Sequence, residues 1–62
     1  MRDWLKELRL ASGYTQSDIA DSLKISRSYY TQIELGNRNP SPKVAIELGK
    51  LLSFEWTRFF ES

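Results

Sequence analysis

Neither cysteine nor histidine occurs in this 62-residue chain. Their absence removes disulfide staples, thiolate and imidazole metal sites, cysteine nucleophiles and the commonest general base. No enzyme is expected, because nothing supplies a nucleophile–base pair and no insertion is large enough to frame a pocket. No cofactor, metal or small-molecule ligand is implied. No apolar run approaches the ~20 residues of a membrane span, and no signal-peptide pattern opens the chain. A membrane partner is therefore not expected, and the missing cysteine is compatible with a reducing cytoplasm. Repeats, linkers and low-complexity segments are also missing. A chain this short buries only ~60% of its unfolded surface, which leaves room for one domain (residues 1–62) and one small core.

Charge of one sign is scarce as well, since the formal net charge is only +1. Its distribution is uneven. Between Ser22 and Lys43 the cations Lys24, Arg27, Arg38 and Lys43 face Glu34 alone, a local balance of +3. The remainder sets five cations against seven anions, a balance of −2. A basic middle on an acidic remainder is the asymmetry expected where one face meets phosphates.

The stretch from Thr15 to Gly36, TQSDIADSLKISRSYYTQIELG, organises the rest. Thr15 predicts a helix cap, with Asp18 three residues on as an Asp variant of the capping box. Tyr14 before that cap and Ile19 inside the helix form a hydrophobic staple. The device recurs with Ser26 as cap, flanked by Ile25 and Tyr30. Gly36 accepts the left-handed conformation that stops a helix. The spacing thus predicts two short helices joined by a tight turn, a helix-turn-helix over about 15–36 whose second helix enters the major groove of DNA. At about 100° per residue, Ser26, Tyr30, Ile33 and Glu34 gather on one side of that second helix. Arg27, Ser28, Thr31 and Gln32 gather opposite, offering a guanidinium, an amide and two hydroxyls but no carboxylate. Those groups pair with base edges and phosphates.

The flanks complete an all-α outline. A first helix is predicted from about Arg2 to Ala11 or Ser12, with Trp4, Leu5, Leu8 and Ala11 as its inner stripe and Gly13 as its stop. Arg9 lies at the stripe's edge, within reach of Glu34 or solvated; Leu10 points away. After Gly36 the turn-rich NRNPS leaves Arg38 placed to meet a phosphate. Ser41 and Pro42 start a fourth helix, as cap and first helical residue. It runs to about Leu52 and buries Ala45, Leu48 and Leu52, while Val44, Ile46 and Leu51 widen its apolar surface. A last short helix, Glu55 to about Phe60, brings Trp56, Phe59 and Phe60, as core or as a self-association patch. The expected fold is a compact five-helix bundle.

The runs LKELRLASGYTQSDIADSL, KISRSYYTQIELGNRNPS and LGKLLSFEWTRFF together resemble the Cro and lambda-repressor type of helix-turn-helix protein, the XRE family. The resemblance spans about Leu5 to Phe60, and SRSYYTQIELGNRNPS is its most specific part. It implies a sequence-specific DNA-binding transcriptional regulator, a small repressor of bacterial, phage or plasmid context. Residue by residue, it places Arg27, Ser28 and Gln32 on base edges with Thr31 close by. Gln16 and Ser26 fall on phosphate-contacting positions, and Gln16 can also brace the recognition helix. Arg38 and Lys43 lie near the loop and helix start that touch phosphate, and Arg9 with Glu34 matches a buried ion pair. Members bind double-stranded DNA as two-fold dimers with half-sites one turn, ~34 Å, apart. A homodimer is expected here, with Ile46, Leu51, Trp56 and Phe59 as candidate interface residues. The chain departs from the pattern at three places. Lys24 stands where the turn commonly has glycine and adds a candidate phosphate contact, Leu35 replaces a polar or basic residue, and Glu55 replaces a better cap. Leu35 and the near-neutral charge carry the alternative, a module of the same fold that binds a protein partner.

Overall fold

The computed structural model describes residues 1–61 of the chain. Four α-helices and a terminal 3-10 turn follow one another: α1 (Asp3–Ala11), α2 (Gln16–Leu23), α3 (Arg27–Leu35), α4 (Pro42–Leu52) and the turn Trp56–Phe60. The all-α outline agrees with the sequence, whereas the fifth α-helix is replaced by the 3-10 turn. The reason is local: Glu55 makes no capping hydrogen bond, so the five-residue segment starts without a fixed end.

Local chemistry sets the other boundaries. Thr15 and Asp18 exchange both bonds of the capping box, at 3.0 and 2.9 Å. Ser26 accepts from the Tyr29 amide and Ser41 from the Val44 amide, so α3 and α4 are capped by serine as expected. Gly13 and Gly36 take positive φ, +81° and +84°, at the stops of α1 and α3. Lys24 ends α2 in the left-handed region, φ 57° and ψ 42°, despite its side chain. The motif turn therefore carries strain that a glycine would not.

The core is one cluster to which every α-helix contributes: Leu5 from α1, Ile19 and Ala20 from α2, Tyr30 and Ile33 from α3, and Val44, Ala45, Leu48 and Leu52 from α4. Trp4, Phe54 and Phe59 close one end, with ring centroids 5.1–5.5 Å apart. Phe59 is only 6% exposed and belongs to this core, which corrects its assignment to a dimer surface. Ala11, expected on the inner stripe, is exposed in the last turn of α1; Arg9 takes the inward position instead. Gly49 lets α4 pass close to the segment beyond it. A Cβ there would meet the Phe54 carbonyl oxygen at 2.7 Å, and the Phe54 amide already donates to the Gly49 carbonyl at 2.9 Å.

Candidate nucleic-acid interface

The outward arc of α3 follows from what its inner face must bury. Tyr30, Ile33 and Glu34 are buried, so Arg27 and Ser28 are exposed, and Thr31 and Gln32 are half-buried at the arc's edges. Leu35, at 39% exposure, closes the arc at the helix end. The acid of α3 points the other way. Glu34 is 2% exposed, leaving the presented face with a cation and neutral polar groups.

Beneath that face lies a polar network joining three helices. Arg9 Nε donates to Glu34 Oε2 at 2.9 Å and Nη2 to Oε1 at 3.0 Å, a bidentate pair, while Nη1 donates to the Tyr14 carbonyl at 3.0 Å. Gln16 Nε2 reaches Glu34 Oε1 at 3.3 Å, and Gln16 Oε1 accepts from the Thr31 hydroxyl at 3.2 Å. One glutamine thus ties the start of α2 to the middle of α3. Burial raises the Glu34 carboxyl's pKa, but hydrogen bonds from Arg9 and Gln16 and the charge of Arg9 outweigh it and hold it below its ordinary value. The hydrogen bond to Glu34 raises the Arg9 guanidinium in turn. Tyr30 packs its buried hydroxyl beside the pair without a hydrogen-bond partner among the described residues, and burial pushes that phenol above its usual range.

Two expected base-reading groups are already engaged. The Thr31 hydroxyl faces Gln16 and serves the α2–α3 junction, so it sits behind the front of the arc. Gln32 Oε1 accepts from Asn37 Nδ2 at 2.8 Å. A bidentate approach of Gln32 to adenine uses its nitrogen and the second lone pair of that oxygen, in the orientation that the Asn37 bond sets. Arg27 and Ser28 stand forward of both. Ser26 keeps its hydroxyl on the Tyr29 amide as a cap.

The loop after α3 is built more tightly than its composition implies. The Gln32 carbonyl accepts from the amides of Asn37 and Arg38 at 3.0 and 3.3 Å. The Arg38 guanidinium lies 5.1 Å from the Tyr29 ring centroid, and the Tyr29 hydroxyl accepts from the Ser41 amide at 3.1 Å. Arg2 holds the other side, donating to the carbonyls of Ile33 and Arg38 and to Asn39 Oδ1. Lys43, in the first turn of α4, and Lys24, in the motif turn, are both exposed. Sequence reasoning missed Tyr29 and Arg2. The adjacent tyrosines were a signal for Tyr29, since neighbours on a helix cannot both face the core. Nothing local marks Arg2, whose partners lie 31 to 37 residues away.

Comparison with known proteins matches residues 5–58 to a family model described as helix-turn-helix. The chain belongs to the XRE-type helix-turn-helix family. Within this helix-turn-helix family it is 51% identical over 61 residues to YqaF of Bacillus subtilis (strain 168), an uncharacterized HTH-type transcriptional regulator. That match takes in 98% of this chain and 80% of the relative. YqaE of the same organism, also named an uncharacterized HTH-type transcriptional regulator, is 42% identical over 48 residues, 77% of this chain and 41% of that protein. No solved structure matches. Among the described residues no helix is long and apolar enough to cross a membrane, and no group of three or more acidic, histidine or cysteine residues could hold a metal ion.

Proposed function

We propose that this helix-turn-helix chain is a sequence-specific DNA-binding transcriptional regulator, a small repressor that lays α3 in the major groove. One observation carries the reading. The only carboxylate of α3 is buried and ion-paired with Arg9, while Arg27 and Ser28 stand exposed on the opposite arc. A groove-facing helix needs its acids out of the way, because the duplex is a polyanion. Arg27 suits guanine O6 and N7, with Ser28 and Gln32 beside it. Gln16, Ser26, Arg38, Lys43 and Lys24 flank that centre as phosphate contacts. Gln16 uses one amide hydrogen on Glu34, which leaves the second for a phosphate.

The reading includes a homodimer. Ile46 is 36% exposed and Phe60 48%, and Leu51 and Trp56 are half-buried, so α4 and the 3-10 turn offer the apolar surface for a second copy. The family names of the relatives agree with DNA-binding regulation. Leu35 favours the second reading, a partner protein docked on the same arc, because an exposed leucine at its end adds apolar contact.

Alanine substitution separates the two. Arg27→Ala is expected to relax discrimination at one base pair by roughly 1–3 kcal/mol, whereas Arg38→Ala weakens all duplexes alike and lowers the salt dependence by about one contact. Binding titrations against several duplexes at two salt concentrations read both effects. Indifference of DNA affinity to both changes sinks the DNA reading in favour of a protein partner.

A further inference from the structure

We infer that Arg2 is a positioning residue for DNA binding: it clamps the loop 36–41 so that Arg38 is held ready for a phosphate. The inference rests on the DNA reading for the role of Arg38 and on geometry for the clamp. Arg2 reaches the loop from both its backbone and its side chain. Its amide donates to the Glu34 carbonyl at 2.9 Å, in the last turn of α3. Its guanidinium takes the Ile33 carbonyl, the Arg38 carbonyl at 2.9 Å, and Asn39 Oδ1. Two of those carbonyls, at Ile33 and Glu34, belong to the end of α3; Ile33 already accepts from the Gly36 amide and gains a second donor, while Glu34 takes the Arg2 amide. Arg2 therefore caps the recognition helix and grips the loop with one planar fork.

The clamp has a second jaw. Tyr29 stacks under the Arg38 guanidinium and holds the Ser41 amide through its hydroxyl. Arg38 is thus gripped at its main chain by Arg2 and at its head by Tyr29, on a loop whose sequence, NRNPS, would otherwise leave it mobile. Pre-ordering matters because a loose arginine loses rotamer and loop freedom when it meets a phosphate. Lysine cannot substitute for Arg2. A single ammonium lacks the rigid fork that spans a carbonyl pair and an amide oxygen together. Arg2 itself is half-buried, with its guanidinium carbon 5.4 Å from the Phe59 ring centroid, so its charge is turned onto the protein.

The test compares wild type, Arg2→Met, Arg2→Lys, Arg38→Ala and the double change Arg2→Met/Arg38→Ala on a short mixed-sequence duplex. Arg2→Met, Arg2→Lys and Arg38→Ala should all bind more weakly than wild type, the Arg2 variants by roughly 2- to 10-fold, the freedom of one unordered side chain. Between about 50 and 200 mM salt, Arg38→Ala alone should weaken about 3.5-fold less than wild type, the loss of one phosphate contact. The double change should add nothing further. Wild-type affinity in Arg2→Lys overturns the clamp, because it would make Arg2 a point charge. So does an additive double change.

Amide exchange on the free proteins is independent of DNA. In Arg2→Met the Asn37, Arg38 and Ser41 amides should exchange about 10-fold faster, with Leu48 in the core unchanged. Equal acceleration throughout the core overturns the inference, since it would show general destabilisation. Unchanged loop exchange overturns it too. A wild type whose binding ignores salt sinks the DNA reading itself, a result separable from the exchange measurement.

Discussion

Glu34 joins stability to function more directly than any other residue. It is 2% exposed, bonded to both Arg9 and Gln16, and turned from the outward arc of α3. Removing one partner of a buried pair leaves a desolvated charge and costs about 3–5 kcal/mol. The whole fold of a chain this size is worth about 3–9 kcal/mol. Glu34→Gln is therefore expected to remove about a third or more of the folding free energy and to lower the melting temperature sharply, read by circular dichroism melts. The pair also sets an acid limit. Because the folded carboxyl lies below its unfolded value, its contribution is complete above the ordinary carboxylate pKa of about 4.3 and is lost as pH falls from there through the folded value. Denaturant titrations should show stability falling in that interval for wild type.

Gly49 tests packing in the same way. Gly49→Ala would drive a Cβ to 2.7 Å from a backbone oxygen, so α4 and the Phe54 segment must separate, at a cost of about 1–3 kcal/mol in urea unfolding. At this scale the sequence was partly legible. The outward residues of α3 followed from periodicity, because burial of Tyr30 and Ile33 fixes what lies opposite. Arg9 with Glu34 was geometrically within reach, and only the family resemblance favoured a pair over a solvated arginine. The engagement of Thr31 by Gln16 and of Gln32 by Asn37 was not legible, since each depends on side-chain rotamers that no spacing specifies.

At the scale of elements, the motif turn and the end of α4 both store backbone strain, at Lys24 and at Ser53 with φ 59°. Lys24 sits at φ 57°, a conformation that disfavours a Cβ by roughly 1–2 kcal/mol relative to glycine. Lys24→Gly should therefore raise stability, by up to about 1 kcal/mol once the extra freedom of glycine in the unfolded chain is included. Thermal melts check the gain, and a duplex titration shows whether Lys24 also holds a phosphate. Helix boundaries were well marked where the signal was local: Thr15 with Asp18, Ser26, Ser41 with Pro42, and Gly36 all act within a few residues. The last element lacked such a signal. Glu55 supplies no cap, and within Trp56–Phe60 only Phe59 packs its ring on Trp4 and Phe54, while Trp56 and Phe60 pack on each other.

The whole molecule, 27 × 21 × 20 Å, is too small for one copy to read a long site. A single recognition helix reaches a few base pairs, and the proposed two-fold dimer would double both base and phosphate contacts. The exposed apolar surface proposed for a second copy was only roughly legible. Composition crowded the aromatics near the C-terminal end, and packing then took Phe59 into the core and left Ile46, Leu51, Trp56 and Phe60 at or near the surface. Net charge likewise says little for the molecule as a whole. The basic middle and the acidic remainder nearly cancel, and Glu47 of the remainder lines the same cavity as Lys24 and Lys43.

The account stands or falls on whether the outward arc of α3 reads sequence. Selection of duplexes from a random pool, run in parallel with wild type and Arg27→Ala, measures this directly. Wild type should enrich a two-fold symmetric site with half-site centres about 34 Å apart, and Arg27→Ala should lose preference at one position in each half. A pool that enriches no motif, or the same motif with undiminished preference in both proteins, would contradict it.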